Sequence, residues 1–368
     1  MNEKKWLFVI PADTLHGSEL IAKTFVEFLV KKKQKCHVII LTRKYSEQWE
    51  HLRPEVEITY LSFNNYFKGV LWLLPHLLRN NQVRFDYTFT SQSVINGTIG
   101  FAKRLGLLGN PIVILRESNS IFKLLKGYKS KIYSFFYHLG YKYSSLVVCQ
   151  TTYMKEQLVL AQPGLTKKLN LTVISNPFEV DKSKSPKDPL PSKFEKTSFL
   201  VAAGRLAPAK GFDILINTFN KYQKELEGVS LIILGEGPDR KLLEEQINDL
   251  KLENRVFLPG YVQNVYPYFH KAKACVISSR IEGFPNVLLQ MMSVNEKIVC
   301  TLSAGDIDSI PGIYTCITED EMALGKSIIE CISASSQDNR SVFDYYLEQR
   351  SWENFYRAIL NQVSGTKG

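Results

Sequence analysis

The sequence predicts two doubly wound parallel α/β domains in tandem, and three observations lead there. The chain has 368 residues, more than one hydrophobic core organises, and about 150 residues per domain gives two. Short β-rich runs alternate with helix-length amphipathic segments almost throughout, the pattern of parallel βαβ units rather than of a sandwich. The alternation stops once, in the charged stretch 177–197 with its four prolines, and then begins again.

In the first half the predicted strands are "WLFVI" (6–10), "HVIIL" (37–41), "VEITYL" (56–61), "YTFTS" (87–91), "PIVIL" (111–115), "LVVCQ" (146–150) and "LTVIS" (171–175). The second sheet is built from "FLVAAG" (199–204), "SLIILG" (230–235), "RVFLPG" (255–260), "ACVIS" (274–278) and "KIVCT" (297–301). The expected division is a first domain 1–176, a linker 177–197, a second domain 198–345 and a closing helical segment 346–368. Open parallel sheets bind ligands beyond the carboxyl ends of their strands, so function is expected in a cleft bordered by those ends.

Composition narrows the classes. A net charge of +10 fits nucleic acid, anionic lipid or a phosphorylated ligand, but no nucleic-acid motif accompanies it, and no nucleic-acid partner is expected. The six cysteines lie in apolar runs with no CxxC pair and read as buried free thiols of a reducing, cytoplasmic compartment. The six histidines show no HxH or HExxH spacing, so neither a zinc site nor any other metal or cofactor is expected. The longest apolar run of note, "VLWLLPHLL" at 70–78, falls far short of the ~20 residues that span a bilayer.

Three pieces of the second half sit just past strand ends. In "AAGRLAPAKGF" Gly204 closes a strand, Arg205 and Lys210 lie five apart, and a helix starts near Phe212. Two cations beside a helix N-terminus suit a diphosphate, Arg gripping oxygens and Lys adding a point charge; alone, the motif is equally two surface cations on a loop. "LGEGPDRKLLEEQI" turns at Gly235 and marks where the sheet opens. In "RIEGFPNVLLQMM" Glu282 precedes a Gly283-Phe284-Pro285 turn. Pro285 fits the first helical position, which leaves the amides of Asn286, Val287 and Leu288 able to face an anion. Glu282 could accept hydrogen bonds from sugar hydroxyls held by that anion. Gln290 lies further along, an amide with one acceptor where a carboxylate would have acceptors only.

The order and spacing of "GRLAPAKGFDILINTF", "LIILGEGPDRKLLEEQI", "RVFLPGYVQNVYPYF" and "SSRIEGFPNVLLQMMS", over about 199–293, resemble the retaining GT-B glycosyltransferases of glycosyltransferase family 4. The resemblance implies two Rossmann-like domains facing a central cleft, the first binding acceptor and the second nucleotide-sugar, with the last helix returning toward the first domain. It implies a metal-independent enzyme in which Arg205 and Lys210 hold the donor diphosphate, Glu282 meets the transferred sugar, the 286–288 amides cap sugar and distal phosphate, and Tyr261 and Val262 border the base. The family's usual Glu at position 290, which takes the ribose hydroxyls, is Gln here. That departure keeps a second reading in play, a catalytically inactive partner that binds nucleotide-sugar. A third, a metal-dependent transferase, rests only on the short pattern Asp306-x-Asp308.

In the first half the resemblance is weaker. "PADTLHGSELIAKTF" is similar to the family's opening loop, with His16 where a first glycine is common and Gly17 letting backbone approach phosphate or acceptor. "ILRESNSIF" has Glu117, Ser118 and Asn119 where many relatives carry a histidine. His16, Glu117 and Asn119 are therefore candidate acceptor contacts, and Glu117 reads equally well as a capping acid. Residues 118–155 contain no acid, and "IFKLLKGYKSKIYSFFYHLGYKYSS" interleaves five lysines with eight aromatics. Such a stretch suits an anionic membrane surface or, equally, a core with solvated lysines. By analogy the expected acceptor is a glycan or lipid-linked oligosaccharide, the donor a UDP-sugar, and the place peripheral on the inner face of the cell membrane, in assembly of a surface polysaccharide such as capsule or O-antigen.

Overall fold

A computed structural model describes residues 3–14, 17–44, 46–118, 122, 127–180, 185–335 and 339–365. It divides into two compact units, one of residues 1–177 with 352–368, the other of residues 178–351. Each unit is built on one parallel sheet.

The first sheet contains β1 (Lys5–Ala12), β2 (Lys35–Thr42), β3 (Val56–Phe63), β4 (Tyr87–Thr90), β5 (Ile112–Arg116), β6 (Leu146–Cys149) and β7 (Leu171–Val173) in the order β3-β2-β1-β4-β5-β6-β7. Strands buried on both faces read as continuous apolar runs, and successive side chains go to opposite sides. Along β1, Trp6, Phe8 and Ile10 join one core, while Leu7 and Val9 join the other. The first core is closed by α1 (Gly17–Lys31) and by the C-terminal α12 (Trp352–Ser364), whose Trp352 ring stacks on Phe25 at 5.5 Å. The second is closed by α2 (Tyr66–Arg79), α3 (Ser93–Arg104), α4 (Gly127–Gly140) and α5 (Thr152–Ala161). Side chains start two of these helices: Asn65 accepts from the Phe67 and Lys68 amides, and Thr151 from Met154.

The second sheet contains β8 (Ser198–Ala203), β9 (Val229–Leu234), β10 (Val256–Gly260), β11 (Ala274–Ile277), β12 (Ile298–Thr301) and β13 (Tyr314–Cys316), ordered β10-β9-β8-β11-β12-β13. One face is covered by α6 (Phe212–Lys221), α7 (Arg240–Asp249) and α10 (Glu321–Ser333). The other is covered by α8 (Tyr266–Lys271), α9 (Asn286–Met292) and α11 (Asn339–Glu348). The strand order reverses between β8 and β11, and that switch point is where an open sheet splays its loops to admit a ligand.

All twelve predicted strands are present, and β13 is an addition. It is three residues long, with one buried side chain, inside the short run "IYTCI" (313–317) at the edge of the sheet. Two other expectations shift. Leu190 and Phe194, inside the expected linker, are buried in the second unit's core, so that stretch belongs to the unit. The closing helical segment expected over 346–368 is broken at 349–351, between α11 and α12, where the Arg350 carbonyl accepts from the Phe178 amide at 2.7 Å. All six cysteines are buried free thiols.

Candidate functional site

The candidate residues of the second half lie in loops beyond the carboxyl ends of the second sheet's strands, and Lys210 and Glu282 come into contact at its switch point. Arg205 and Lys210 follow β8, Gly235 follows β9, Tyr261 and Val262 follow β10, and the Glu282 turn follows β11. Close backbone approach locks these loops together. The Gly204 amide donates to Leu234 at 2.9 Å, Leu206 to Glu236 at 3.0 Å, and Gly235 to Gly260 at 2.8 Å. Gly235, at φ 134°, could carry no side chain, because a Cβ there would lie 1.9 Å from the Gly204 carbonyl oxygen. Gly211, at φ 61°, presses in the same way on the Ser278 carbonyl.

Lys210 is placed by the loop after β11. Three consecutive carbonyls of its turn, Pro208, Ala209 and Lys210, accept respectively from the Arg280 guanidinium at 2.7 Å, the Arg280 amide at 2.8 Å and the Ser278 hydroxyl at 3.0 Å. The same guanidinium grips Asp213 with two bonds, of 2.8 and 2.6 Å, and Glu319 with one of 3.0 Å. These bonds raise the Arg280 pKa. Burial works to raise the Asp213 carboxyl, and the Arg280 bonds outweigh it and hold the carboxyl below its usual range. Arg280 is thus a positioning residue that sequence reasoning missed. Its only signal was a cation two residues before Glu282, paired with an acid in the first turn of α6.

With the turn fixed, the Lys210 ammonium donates to Glu282 Oε1, and that oxygen also accepts from the Ser279 hydroxyl at 2.8 Å. The Glu282 amide is held by the Ser303 carbonyl at 2.8 Å. A cation and a carboxylate are therefore fixed side by side beyond the strand ends, one suited to phosphate oxygens, the other to hydroxyls. Arg205 is exposed and makes no ion pair among the described residues. Tyr261 is exposed and Val262 half-buried. Gly283, Phe284 and Pro285 are buried, and the Phe284 ring lies 4.7 Å from the Arg350 guanidinium, so the turn plugs the core while presenting Glu282.

Two predicted contacts need correction. Pro285 occupies the N-cap rather than the first helical position, and the first turn tightens so that the Leu288 amide donates to the Pro285 carbonyl at 2.9 Å. Leu288 is therefore not an amide available to an anion. Asn286 and Val287 remain half-buried at the helix start, and Gln290 sits in the second turn with its side chain making no hydrogen bond among the described residues. The second correction is Glu117, which is only 2% exposed. Its carboxylate accepts from the hydroxyls of Tyr137 and Tyr141 and from the Asn96 amide at 3.4 Å, so it is part of a buried polar network and not an acceptor ligand. Gly17 begins α1 just past β1; His16 and Asn119 lie outside the described residues. The Asp306-x-Asp308 pattern is a turn after β12 whose middle residue, Ile307, is buried.

Residues 197–334 match the family model described as Glycosyl transferases group 1. A glycosyltransferase of Methanocaldococcus jannaschii, itself uncharacterized, is 31% identical over 190 residues, which is 50% of this chain and 46% of that protein. The chain thus spans about half the length of that relative. The N-acetylgalactosamine-N,N'-diacetylbacillosaminyl-diphospho-undecaprenol 4-alpha-N-acetylgalactosaminyltransferase of Campylobacter jejuni is 24% identical over 318 residues, 84% of this chain and 82% of that one. Among solved structures, Anabaena HepE in complex with UDP superposes with a TM-score of 0.77 at 16% identity, covering 98% of this chain and 100% of the other. The two parallel-sheet units and the likeness to HepE define the two-domain GT-B fold. The stretch that matches the Glycosyl transferases group 1 model lies within the second unit, from β8 to α10.

Proposed function

We propose that the chain transfers a sugar from a nucleoside diphosphate, a UDP-sugar, to a hydroxyl of a lipid-linked glycan, with retention of configuration and without a metal. The observation that carries this reading is the Lys210–Glu282 pair held at the switch point of the second sheet. Departure of the nucleoside diphosphate develops negative charge on phosphate oxygen, and a preorganised Lys210 with Arg205 on the same rim stabilises it as it forms. Glu282 beside them accepts from hydroxyls of the transferred sugar. Tyr261, Val262 and Gln290 border the base and ribose. The Campylobacter relative's printed name, with its undecaprenol-linked acceptor, and HepE's complex with UDP support the acceptor and donor classes. Both fit work at the inner face of a cell membrane in assembly of a surface polysaccharide.

Lys210→Ala and Arg205→Ala each weaken UDP binding by about 1.5 to 3 kcal/mol, the worth of a charge-assisted hydrogen bond, read by titration calorimetry. UDP binding equal to that of the parent in both variants removes the diphosphate assignment. Transfer survives excess EDTA, and an absolute requirement for added manganese counts against the metal-free scheme.

Gln290 supports a second reading, an inactive nucleotide-sugar-binding partner. A neutral amide oxygen accepts a ribose hydroxyl with roughly half the strength of a carboxylate. On the transferase reading, steady-state kinetics of Gln290→Glu show a donor KM lowered by about tenfold or less, equivalent to roughly 1.4 kcal/mol, with kcat little changed because the contact is the same in ground and transition states. No turnover by the parent and onset of activity in Gln290→Glu establish the inactive reading instead.

A further inference from the structure

The exposed apolar side chains of the first unit are gathered on one helical layer. Helix α2 turns Val70, Leu73 and Leu77 into the core, yet its opposite side carries Phe67 (58% exposed), Leu71 (74%), Trp72 (48%) and Leu78 (57%). At 100° per residue, Phe67, Leu71 and Leu78 form one stripe, with Lys68, Trp72 and Arg79 along its edge. Phe135 on α4 and Leu160 on α5 are exposed on the same layer, whereas α1 and α12, which cover the other face of the sheet, expose no large hydrophobic residue among those described.

Charge follows the same division. Residues 66–161 hold twelve Lys and Arg against three Asp and Glu, so they carry +9 of the chain's +10. Two of the three acids are engaged: Glu117 is buried, and Asp86 accepts from the Lys4 ammonium and the Lys5 amide. Helices α2, α3 and α4 contain no acid at all. No helix among the described residues is long and apolar enough to cross a membrane.

We propose that the outward face of α2 docks the chain on an anionic lipid bilayer. The helix lies in the interface plane, Phe67, Leu71 and Leu78 entering the acyl boundary, Trp72 at headgroup level, and Lys68 and Arg79 on lipid phosphates. An apolar stripe edged by an aromatic and by cations, on a layer with almost no free acid, complements such a surface. The proposal extends the reading of a lipid-linked acceptor by naming the surface that meets the lipid. It moves the membrane contact expected from residues 118–155, of which 119–121 and 123–126 lie outside the described residues, to a helix that sequence length alone had set aside.

Co-sedimentation with phosphatidylglycerol-rich and with pure phosphatidylcholine vesicles tests it, alongside UDP calorimetry and light scattering on each protein. The parent sediments with the anionic vesicles at low salt and not with the neutral ones. Leu71→Glu with Leu78→Glu lowers the partition coefficient at least tenfold, Lys68→Ser with Arg79→Ser lowers it about tenfold, and Leu242→Glu, at an equally exposed position on α7, leaves it unchanged. A parent-like urea unfolding transition of the first unit shows that each variant is folded, since UDP reports on the second; should the glutamate pair misfold, the serine pair decides. Failure of the parent to bind anionic vesicles overturns the proposal, as does unchanged binding by both pairs. A dimer that the glutamate pair dissociates, with no vesicle binding, assigns the face to a second copy instead. A parent that binds vesicles but not UDP overturns the transferase reading and leaves this one standing.

Discussion

Glu282→Ala lowers transfer by at least about 10²-fold, the loss typical of one preorganised group at a transition state, and leaves UDP binding no weaker than in the parent. The asymmetry follows from the pair at the switch point. Glu282 is proposed to touch the sugar and not the diphosphate, so UDP alone loses no contact with it. Removing the carboxylate also releases Lys210 from its ion pair, and a cation without that partner meets phosphate at no greater cost. Calorimetry with UDP and initial rates with donor and acceptor read the two effects separately. Parallel loss of both means instead that Glu282 serves to hold the Lys210 turn, and Lys210→Ala then reproduces the whole phenotype.

Glu117→Ala destabilises the first unit by about 3 to 5 kcal/mol, from a buried side chain truncated and its hydrogen-bond donors left unsatisfied, with the loss read by urea denaturation. The tyrosine hydroxyls of residues 137 and 141 and the Asn96 amide lose their acceptor. Arg116 beside it, bonded to Ser91 at 2.7 Å and Asn176 at 2.6 Å, keeps its burial without a neighbouring carboxyl. Glu117→Gln restores most of the stability, and the acceptor KM is unchanged, because the side chain faces the core. Burial pushes the Glu117 carboxyl up, against the hydrogen bonds from Tyr137, Tyr141 and Asn96 and the charge of Arg116. A carboxyl raised above its unfolded value contributes stability that is full below the unfolded pKa and is lost as pH rises through the folded one. The advantage of the parent over Glu117→Gln therefore shrinks from acidic toward neutral and higher pH. An advantage that grows with pH means the hydrogen bonds have won and the group is held ionised.

Legibility in the sequence followed the range of the interactions. Strands announce themselves in apolar, β-branched runs of about five residues, and such runs made β1 through β12 readable, the three-residue β7 among them. Equally short, and likewise at a sheet edge, β13 was not. The loops at the carboxyl end of the second sheet were readable because glycine, proline and charge recur at strand ends in a fixed order. Roles set by residues far away in sequence were not. Glu117, flanked by Ser118, reads as a cap or a ligand until Tyr137 and Tyr141 close over it from twenty residues on. Arg280 reads as a surface cation until Asp213, 67 residues earlier, is folded against it. Pro285 fits either the N-cap or the first turn, and only the bond from Leu288 decides. The outward face of α2 was present as "LWLLPHLL", but which leucines point inward depends on the sheet beneath.

The burial of all six thiols has a use outside catalysis. Desolvation drives their pKa values up, Cys36 and Cys331 to about 12 and Cys316 to about 11, so none offers thiolate to a reagent while folded. Cys36 and Cys149 lie in the unit of residues 1–177, and Cys275, Cys300, Cys316 and Cys331 in that of 178–351. Native-state alkylation followed by peptide mass mapping therefore clocks the opening of each unit in its own channel, and a nucleotide that binds the second unit slows the four-thiol channel while the two-thiol channel keeps its pace.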